Sequence, residues 1–284
     1  ARATRAVVIG GGLIGLKAAE ALHEIGLAVT VLELSPQLLP AAADEKVAAI
    51  IADHLRAKGL VVSVENTAER IESEDGRVKQ VVCKSGDILA ADMVVIAIGV
   101  RPNTQIVEGT GIETRRGIVV NRRLQTSVAG IYAAGDVAEG FDLVEGVDRL
   151  LPLWPVAYRQ GMVAGANMAG QDVEYDGYFA MNAIELLGLP LISMGKLQAP
   201  EDDPEYEVLS RNEGAGCRKF ILQNNRIVGA IFLNDIDRAG IISGLIRDGS
   251  DVGEFREELL KEDFGLFSLP KKWRGKKIGR PKGT

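Results

Sequence analysis

The sequence predicts an α/β fold, a parallel sheet with an inserted β-meander followed by a C-terminal α+β domain. Three observations predict it. Apolar runs alternate with helical periodicity as far as Val64, a turn-rich segment follows from Ala68 to Ala90, and closely spaced short strands begin after about Gln171. Strands separated by helices make right-handed crossovers in a parallel sheet. Strands joined by tight turns make antiparallel hairpins.

In chain order, Ala6 to Ile9 reads as a buried strand and Leu13 to Ile25 as a helix that Gly26 closes. Ala28 to Leu34 is a second strand, Asp44 to Lys58 a helix opening on acids and closing before Gly59, and Leu60 to Val64 a third strand. Asp75-Gly76 and Ser85-Gly86 mark the turns of the meander. Met93 to Ile98 is a further apolar strand, and Pro102 marks a domain crossing because it cannot continue that strand's hydrogen bonding. Two short strands are expected between Val119 and Ala134, then a helix from Leu153 to Met168 with Gly170 at its end. Beyond it, Leu191 to Gly195, Tyr206 to Ser210, Arg218 to Gln223 and Arg226 to Phe232 read as strands, with Asn224-Asn225 as a two-residue hairpin turn. Helices over Ala239 to Arg247 and Asp251 to Lys261 complete this unit.

At 284 residues the chain is long enough for two compact domains. Its 46% hydrophobic and 25% charged content is that of a globular protein. The longest apolar stretches are strand-sized, well short of the roughly 18 to 20 residues that span a bilayer, so no membrane partner is expected. No signal peptide is read where Arg2 and Arg5 lead into a glycine-rich turn, and a reducing cytoplasm is the expected compartment. Cys83 and Cys217 stand far apart, outside any C-x-x-C pattern, and are expected to be buried thiols rather than disulfide partners or metal ligands. His23 and His54 read as surface or boundary residues without acid/base chemistry, and no metal ligands are expected.

The informative motif is Gly10-Gly11-Gly12-Leu13-Ile14-Gly15, placed between the first strand and the first helix. A pyrophosphate needs backbone N–H groups at close range and a helix N-terminus pointing at it. Gly10 permits the tight turn, Gly12 admits the diphosphate and Gly15 lets helix pack on strand, so this is a Rossmann-like dinucleotide cradle. Glu33 closes the second strand at about the 20-residue distance expected of an acid that accepts hydrogen bonds from a ribose diol. It would repel a 2′-phosphate, and no Lys or Arg occurs from Ala18 through Glu45, so NAD(H) is expected over NADP(H).

The segments Val8-Ile9-Gly10-Gly11-Gly12-Leu13-Ile14-Gly15-Leu16, Ala97-Ile98-Gly99-Val100-Arg101-Pro102-Asn103 and Ile131-Tyr132-Ala133-Ala134-Gly135-Asp136-Val137 occur in this order. Together they resemble the pyridine nucleotide-disulfide oxidoreductase superfamily, in particular its NADH-dependent branch of rubredoxin and ferredoxin reductases and the flavin region of the nitrite reductase large subunit. The resemblance covers roughly residues 5 to 235. It implies NAD(H) contacts at Gly10, Gly11, Gly12, Leu13, Ile14, Gly15, Glu33 and Gly99, and FAD contacts at Gly135, Asp136 and Trp154. The plain alternative for Asp136 is a helix N-cap, and for Trp154 a core side chain.

Two departures qualify it. Family members place an FAD-binding glycine motif ahead of the NAD domain, and this sequence holds no second one, so its FAD site is expected to be incomplete without a companion segment or partner chain. Lys17 stands where disulfide reductases of the family often carry a glutamate, and is a candidate near the nicotinamide or else a solvated helical lysine. The implied domains are 1–102, NAD(H)-binding; 103–170, the C-terminal part of an FAD-binding domain; 171–269, an α+β interface domain; and 270–284, a basic tail. The implied activity is hydride transfer from NADH to FAD, with electrons passed to an iron–sulfur or haem protein or another acceptor. The competing reading is a flavin-free NAD(H)-binding assembly or regulatory subunit, and the oligomeric state stays open.

Net charge is −6, yet residues 270–284 hold seven Lys/Arg and no acid. Their Gly-Arg-Pro within lysines resembles a minor-groove hook. Such basic, Gly/Pro-rich ends read as flexible tails or as docking arms for an acidic partner, and nucleic acid is not an expected partner.

Overall fold

A computed structural model describes residues 3–214 and 216–271. The element order begins β1 (Arg5–Ile9), α1 (Leu13–Glu24), β2 (Ala28–Leu32), α2 (Glu45–Ala57) and β3 (Val61–Ser63), then β4 (Ala68–Glu74), β5 (Arg77–Cys83), β6 (Ile88–Ala90) and β7 (Met93–Ile96). The four parallel strands lie in the order β3-β2-β1-β7, and β4-β5-β6 form a separate antiparallel meander. Period-two alternation along β1 explains the layering. Ala6 and Val8 face the core with Leu16 and Ala19 of α1 and Val47 and Ile51 of α2. Val7 and Ile9 face the opposite way, onto Val81, Cys83 and Ala91 around the meander.

Local chemistry sets the helix ends. Asp44 caps α2 by accepting from the Val47 amide at 2.9 Å, which supplies one of the partners that the first turn lacks. Gly59 stops α2 in the left-handed region at φ +99°. The Leu60 amide then bonds back to the Leu55 carbonyl at 3.1 Å.

The middle of the chain supplies β8 (Ile118–Val119), β9 (Ala138–Phe141), β10 (Asp148–Leu150) and α3 (Trp154–Met168). These enclose their own cluster around Ile118, Leu124, Ala138, Val156 and Tyr175. The last part is a five-stranded sheet in the order β11-β12-β15-β14-β13. Its strands are β11 (Met181–Leu186), β12 (Leu189–Gly195), β13 (Tyr206–Glu213), β14 (Gly216–Gln223) and β15 (Arg226–Leu233), followed by α4 (Ala239–Arg247). One face packs Phe220 and Phe232 under Ile242 and Leu245 of α4. The other face places Leu191, Ile231 and Leu233 in the same core as α1 and α2. The C-terminal unit therefore shares a core with the dinucleotide-type sheet.

Several expectations need correction. Asp251 to Lys261 is not an α-helix but holds a short 3-10 turn at Arg256–Leu260, one face of which places Leu259 in the core. Between Val119 and Ala134 there is only the end of β8 and one isolated bridge, Gln125 to Tyr132. β9, β10 and β11 add to the expected strands, each being short or carrying polar residues without clean alternation. Asn224-Asn225 does form the hairpin, at φ +49° and +62°. Cys83 and Cys217 are buried free thiols, and among the described residues no helix is long and apolar enough to cross a membrane. The basic segment lies outside the described residues from Lys272 onward.

Burial pushes the Tyr175 phenol up to about 12, against about 10 for an unfolded tyrosine. The folded chain thus keeps a proton that the unfolded chain releases. The resulting stabilisation is complete below about pH 10 and is lost as pH rises to about 12. Tyr175→Phe is expected to remove this component, so urea unfolding in that pH window should fall less steeply for the variant than for the wild type.

Candidate functional site

In an open α/β sheet the ligand crevice lies at the carboxyl ends of the strands, where neighbouring strands continue in opposite directions. Here that point is the end of β1, which pairs with β2 on one side and β7 on the other. The turn Gly10–Gly12 sits there and feeds α1 directly.

Each glycine has its own reason. Gly10 adopts φ +112°, and a Cβ on it would lie 2.2 Å from the Ala97 carbonyl oxygen beyond β7. A Cβ on Gly15 would lie 1.9 Å from the Gly10 carbonyl oxygen, so α1 touches the turn backbone to backbone. A Cβ on Gly11 would meet Leu38 Cδ2 at 2.5 Å. Gly12 differs, since nothing stands within 4 Å of the place its Cβ would take. It is also the N-cap of α1, with no side-chain cap and no acid in the first turn. The first N–H groups of a helix have no partners within it, and here they carry the positive end of the dipole toward open space.

Glu33 follows β2 and is turned into this loop. Its Oε2 accepts from the Gly11 amide at 2.6 Å and its Oε1 from the Ser35 amide at 2.7 Å. Only 8% of the residue is exposed. One amide on each oxygen leaves further lone pairs for hydroxyl donors. Beyond β7, Gly99 turns at φ +93°, and the neighbouring Ile98 and Val100 stand exposed beside the crevice.

Three sequence candidates lie elsewhere. Lys17 pairs with Glu20 and donates to the Glu185 carbonyl at 3.1 Å, which places it at the junction of α1 with β11. Asp136 is exposed in a turn after Gly135 and begins no helix, so the N-cap alternative falls away. Trp154 opens α3 at 88% exposure, so it is no core residue. Tyr158 and Met162, one and two turns further on, are exposed on the same helix.

Sequence reasoning missed the residues that hold these turns. Gln160 is buried on α3 and accepts from the Gly135 amide at 2.7 Å. Gly140 makes room for it, since a Cβ there would lie 2.3 Å from Gln160 Nε2. The loop between β2 and α2 was also unmarked, although the Leu39 amide bonds the Gly11 carbonyl at 2.9 Å. Among the described residues no group of three His, Cys, Asp or Glu side chains is placed to hold a metal.

These contacts predict unequal glycine costs. Gly10→Ala should lower unfolding free energy by about 2–4 kcal/mol, from left-handed strain plus overpacking. Gly12→Ala should cost less than about 1 kcal/mol, the scale of an N-cap change. Urea unfolding of both variants checks this, and equal losses would contradict the geometry.

Comparison with known proteins places this architecture. Residues 1–161 match the family Pyridine nucleotide-disulphide oxidoreductase, and residues 181–250 match the Rubredoxin NAD+ reductase C-terminal domain. The chain is 32% identical over 251 residues to the NAD(P)H nitrite reductase of Bacillus subtilis, an alignment covering 88% of this chain and 30% of that protein. It resembles the solved structure of a NAD-dependent persulfide reductase from A. fulgidus with a TM-score of 0.82 and 29% identity, covering 90% of this chain and 50% of that one. An FAD-dependent pyridine nucleotide-disulphide oxidoreductase from Desulfovibrio vulgaris gives a TM-score of 0.80 and 27% identity, covering 90% of this chain and 67% of that one. The chain thus spans less than a third of the Bacillus protein and half of the persulfide reductase. A single family accounts for the larger part of its own length, and the chain belongs to the pyridine nucleotide-disulphide oxidoreductases.

Proposed function

We propose that this chain forms the NADH-binding part of an FAD-dependent NADH:acceptor oxidoreductase. The carrying observation is the open position at Gly12, at the uncapped N-terminus of α1 and beside the Glu33 carboxylate. The N–H groups of the first turn, through Leu13, Ile14 and Gly15, bind the diphosphate. Glu33 accepts from the ribose hydroxyls and disfavours a 2′-phosphate. Gly99 leaves room beside the nicotinamide half, where Ile98 and Val100 offer apolar surface that excludes water.

The residues present suit one side of an FAD. Asp136, exposed on a turn that Gln160 holds through Gly135, faces solvent and is free to accept from a ribityl hydroxyl. The exposed Trp154 supplies an aromatic surface at the N-terminus of α3. Among the described residues there is no second glycine-rich strand-turn-helix for the adenine end, so a companion segment or chain completes that site. FAD, when bound, supplies the conversion between two-electron hydride chemistry and one-electron transfer. The protein's contribution is orientation and exclusion of water, with no side-chain nucleophile required. For the acceptor, the match to a rubredoxin reductase C-terminal domain supports an iron–sulfur protein.

One other reading is a flavin-free NAD(H)-binding subunit. Visible absorption separates the two. With the companion segment or chain present, the oxidoreductase reading expects a flavin spectrum that NADH bleaches, whereas a complex that stays colourless and still binds NADH supports the subunit reading. In either case NADPH is expected to bind at least about tenfold more weakly than NADH, a difference of about 1.4 kcal/mol. Glu33→Gln should narrow that gap in a fluorescence titration.

A further inference from the structure

The junction between the C-terminal sheet and the α2 N-terminus contains an ion pair that the glycine motif does not explain. Lys219 on β14 reaches across to Asp44, with Nζ 2.7 Å from Oδ2, and both side chains are mostly buried at 15% and 12% exposure. The same ammonium donates to the Leu197 carbonyl at 3.1 Å. Asp44 is already committed through its other oxygen to capping α2. Glu45, Lys46 and Gln198 line the cleft around the pair.

The position of Asp44 matters because of what precedes it. Residues 34–43 form the connection from Glu33, with no helix or strand of their own. The connection is pinned at both ends. Near Asp44, Gln37 Nε2 donates to the Ala43 carbonyl at 3.0 Å, and the Ala42 and Ala43 amides bond the Leu39 carbonyl. Near the cradle, the Leu39 amide bonds the Gly11 carbonyl, and the buried Leu38 packs where a Gly11 Cβ would stand. Glu33, at the start of the connection, accepts from the Gly11 amide. These contacts form a continuous path from Asp44 to Glu33 and the Gly11 peptide, beside the ribose that the reading above sets against Glu33.

We propose that Lys219 is a positioning residue for the adenosine half of the NADH site, so that the C-terminal domain sets dinucleotide affinity through Asp44. This rests on the nucleotide reading above. Truncating Lys219 leaves a buried carboxylate without its cation, and such a group either draws in water or moves outward. Among the described residues no backbone hydrogen bond joins the 34–43 connection to Gly99 or the residues after β7, so the nicotinamide side is expected to be unaffected.

The test uses the full chain, titrated calorimetrically with NADH and ADP-ribose and by ligand NMR with reduced nicotinamide mononucleotide. Lys219→Met is expected to weaken NADH and ADP-ribose by the same factor, roughly five- to tenfold, the lower range of coupling between sites. The mononucleotide should bind as to wild type. Lys219→Arg, which keeps the charge, should recover most of the loss. If Lys219→Met does not fold, Lys219→Gln carries the same comparison. Unchanged NADH affinity in the Lys219→Met variant overturns the proposal, as does an equal loss for the mononucleotide, which marks general loosening. A wild-type chain that binds neither NADH nor ADP-ribose overturns the nucleotide reading itself, and this inference with it.

Discussion

The backbone contact between the turn after β1, the strand end after β7 and the first turn of α1 is the constraint on which the rest of the structure depends. Gly10 must pass beneath the Ala97 carbonyl, and Gly15 must pass over the Gly10 carbonyl. Neither position has room for a Cβ, so α1 leaves the sheet at a single angle, with its unpaired N–H groups facing the open crevice. Gly12 then lies at the one point of the turn where nothing fills the space. The same lack of side chains that permits the packing creates the opening.

Around this contact the molecule is held from two sides. The meander covers one face of the sheet through Val81, Cys83 and Ala91, while α1 and α2 cover the other. The C-terminal sheet closes on those helices with Leu191, Ile231 and Leu233 and adds polar clasps at their ends. Glu20 on α1 accepts from the Leu187 amide at 2.6 Å, His54 on α2 meets the Leu187 carbonyl at 3.2 Å, and Lys219 takes Asp44. Like the Lys17 bond to the Glu185 carbonyl, these clasps tie α1 and α2 to the domain that matches a rubredoxin reductase terminus.

The legible part of this architecture is the part governed by local rules. The glycine turn announces itself because a strand, a helix start and the needed glycines are contiguous, and the Asn224-Asn225 hairpin follows from left-handed turn chemistry alone. The parallel sheet is readable from its apolar runs. The clasps are not, because Lys219 and Asp44 are 175 residues apart and each looks like a solvated charge on its own. Gln160 is hidden for the same reason, being an ordinary polar residue on a helix until Gly135 and Gly140 bring their backbone to it. The segment after Asp251 misleads in the other direction, since its charged composition suits a helix but its contacts hold only a 3-10 turn.

In the proposed function the turn from Gly10 to Gly15 receives the diphosphate of NADH. Amide resonances of the isotopically labelled chain, followed as NADH is added, test it residue by residue. The largest shifts are expected at the amides of Gly12, Leu13, Ile14 and Gly15, with a smaller response at Gly11, where the amide is already bonded to Glu33, and little change along β13 and α4. Shifts concentrated in the C-terminal sheet, with the glycine turn unmoved, would contradict it.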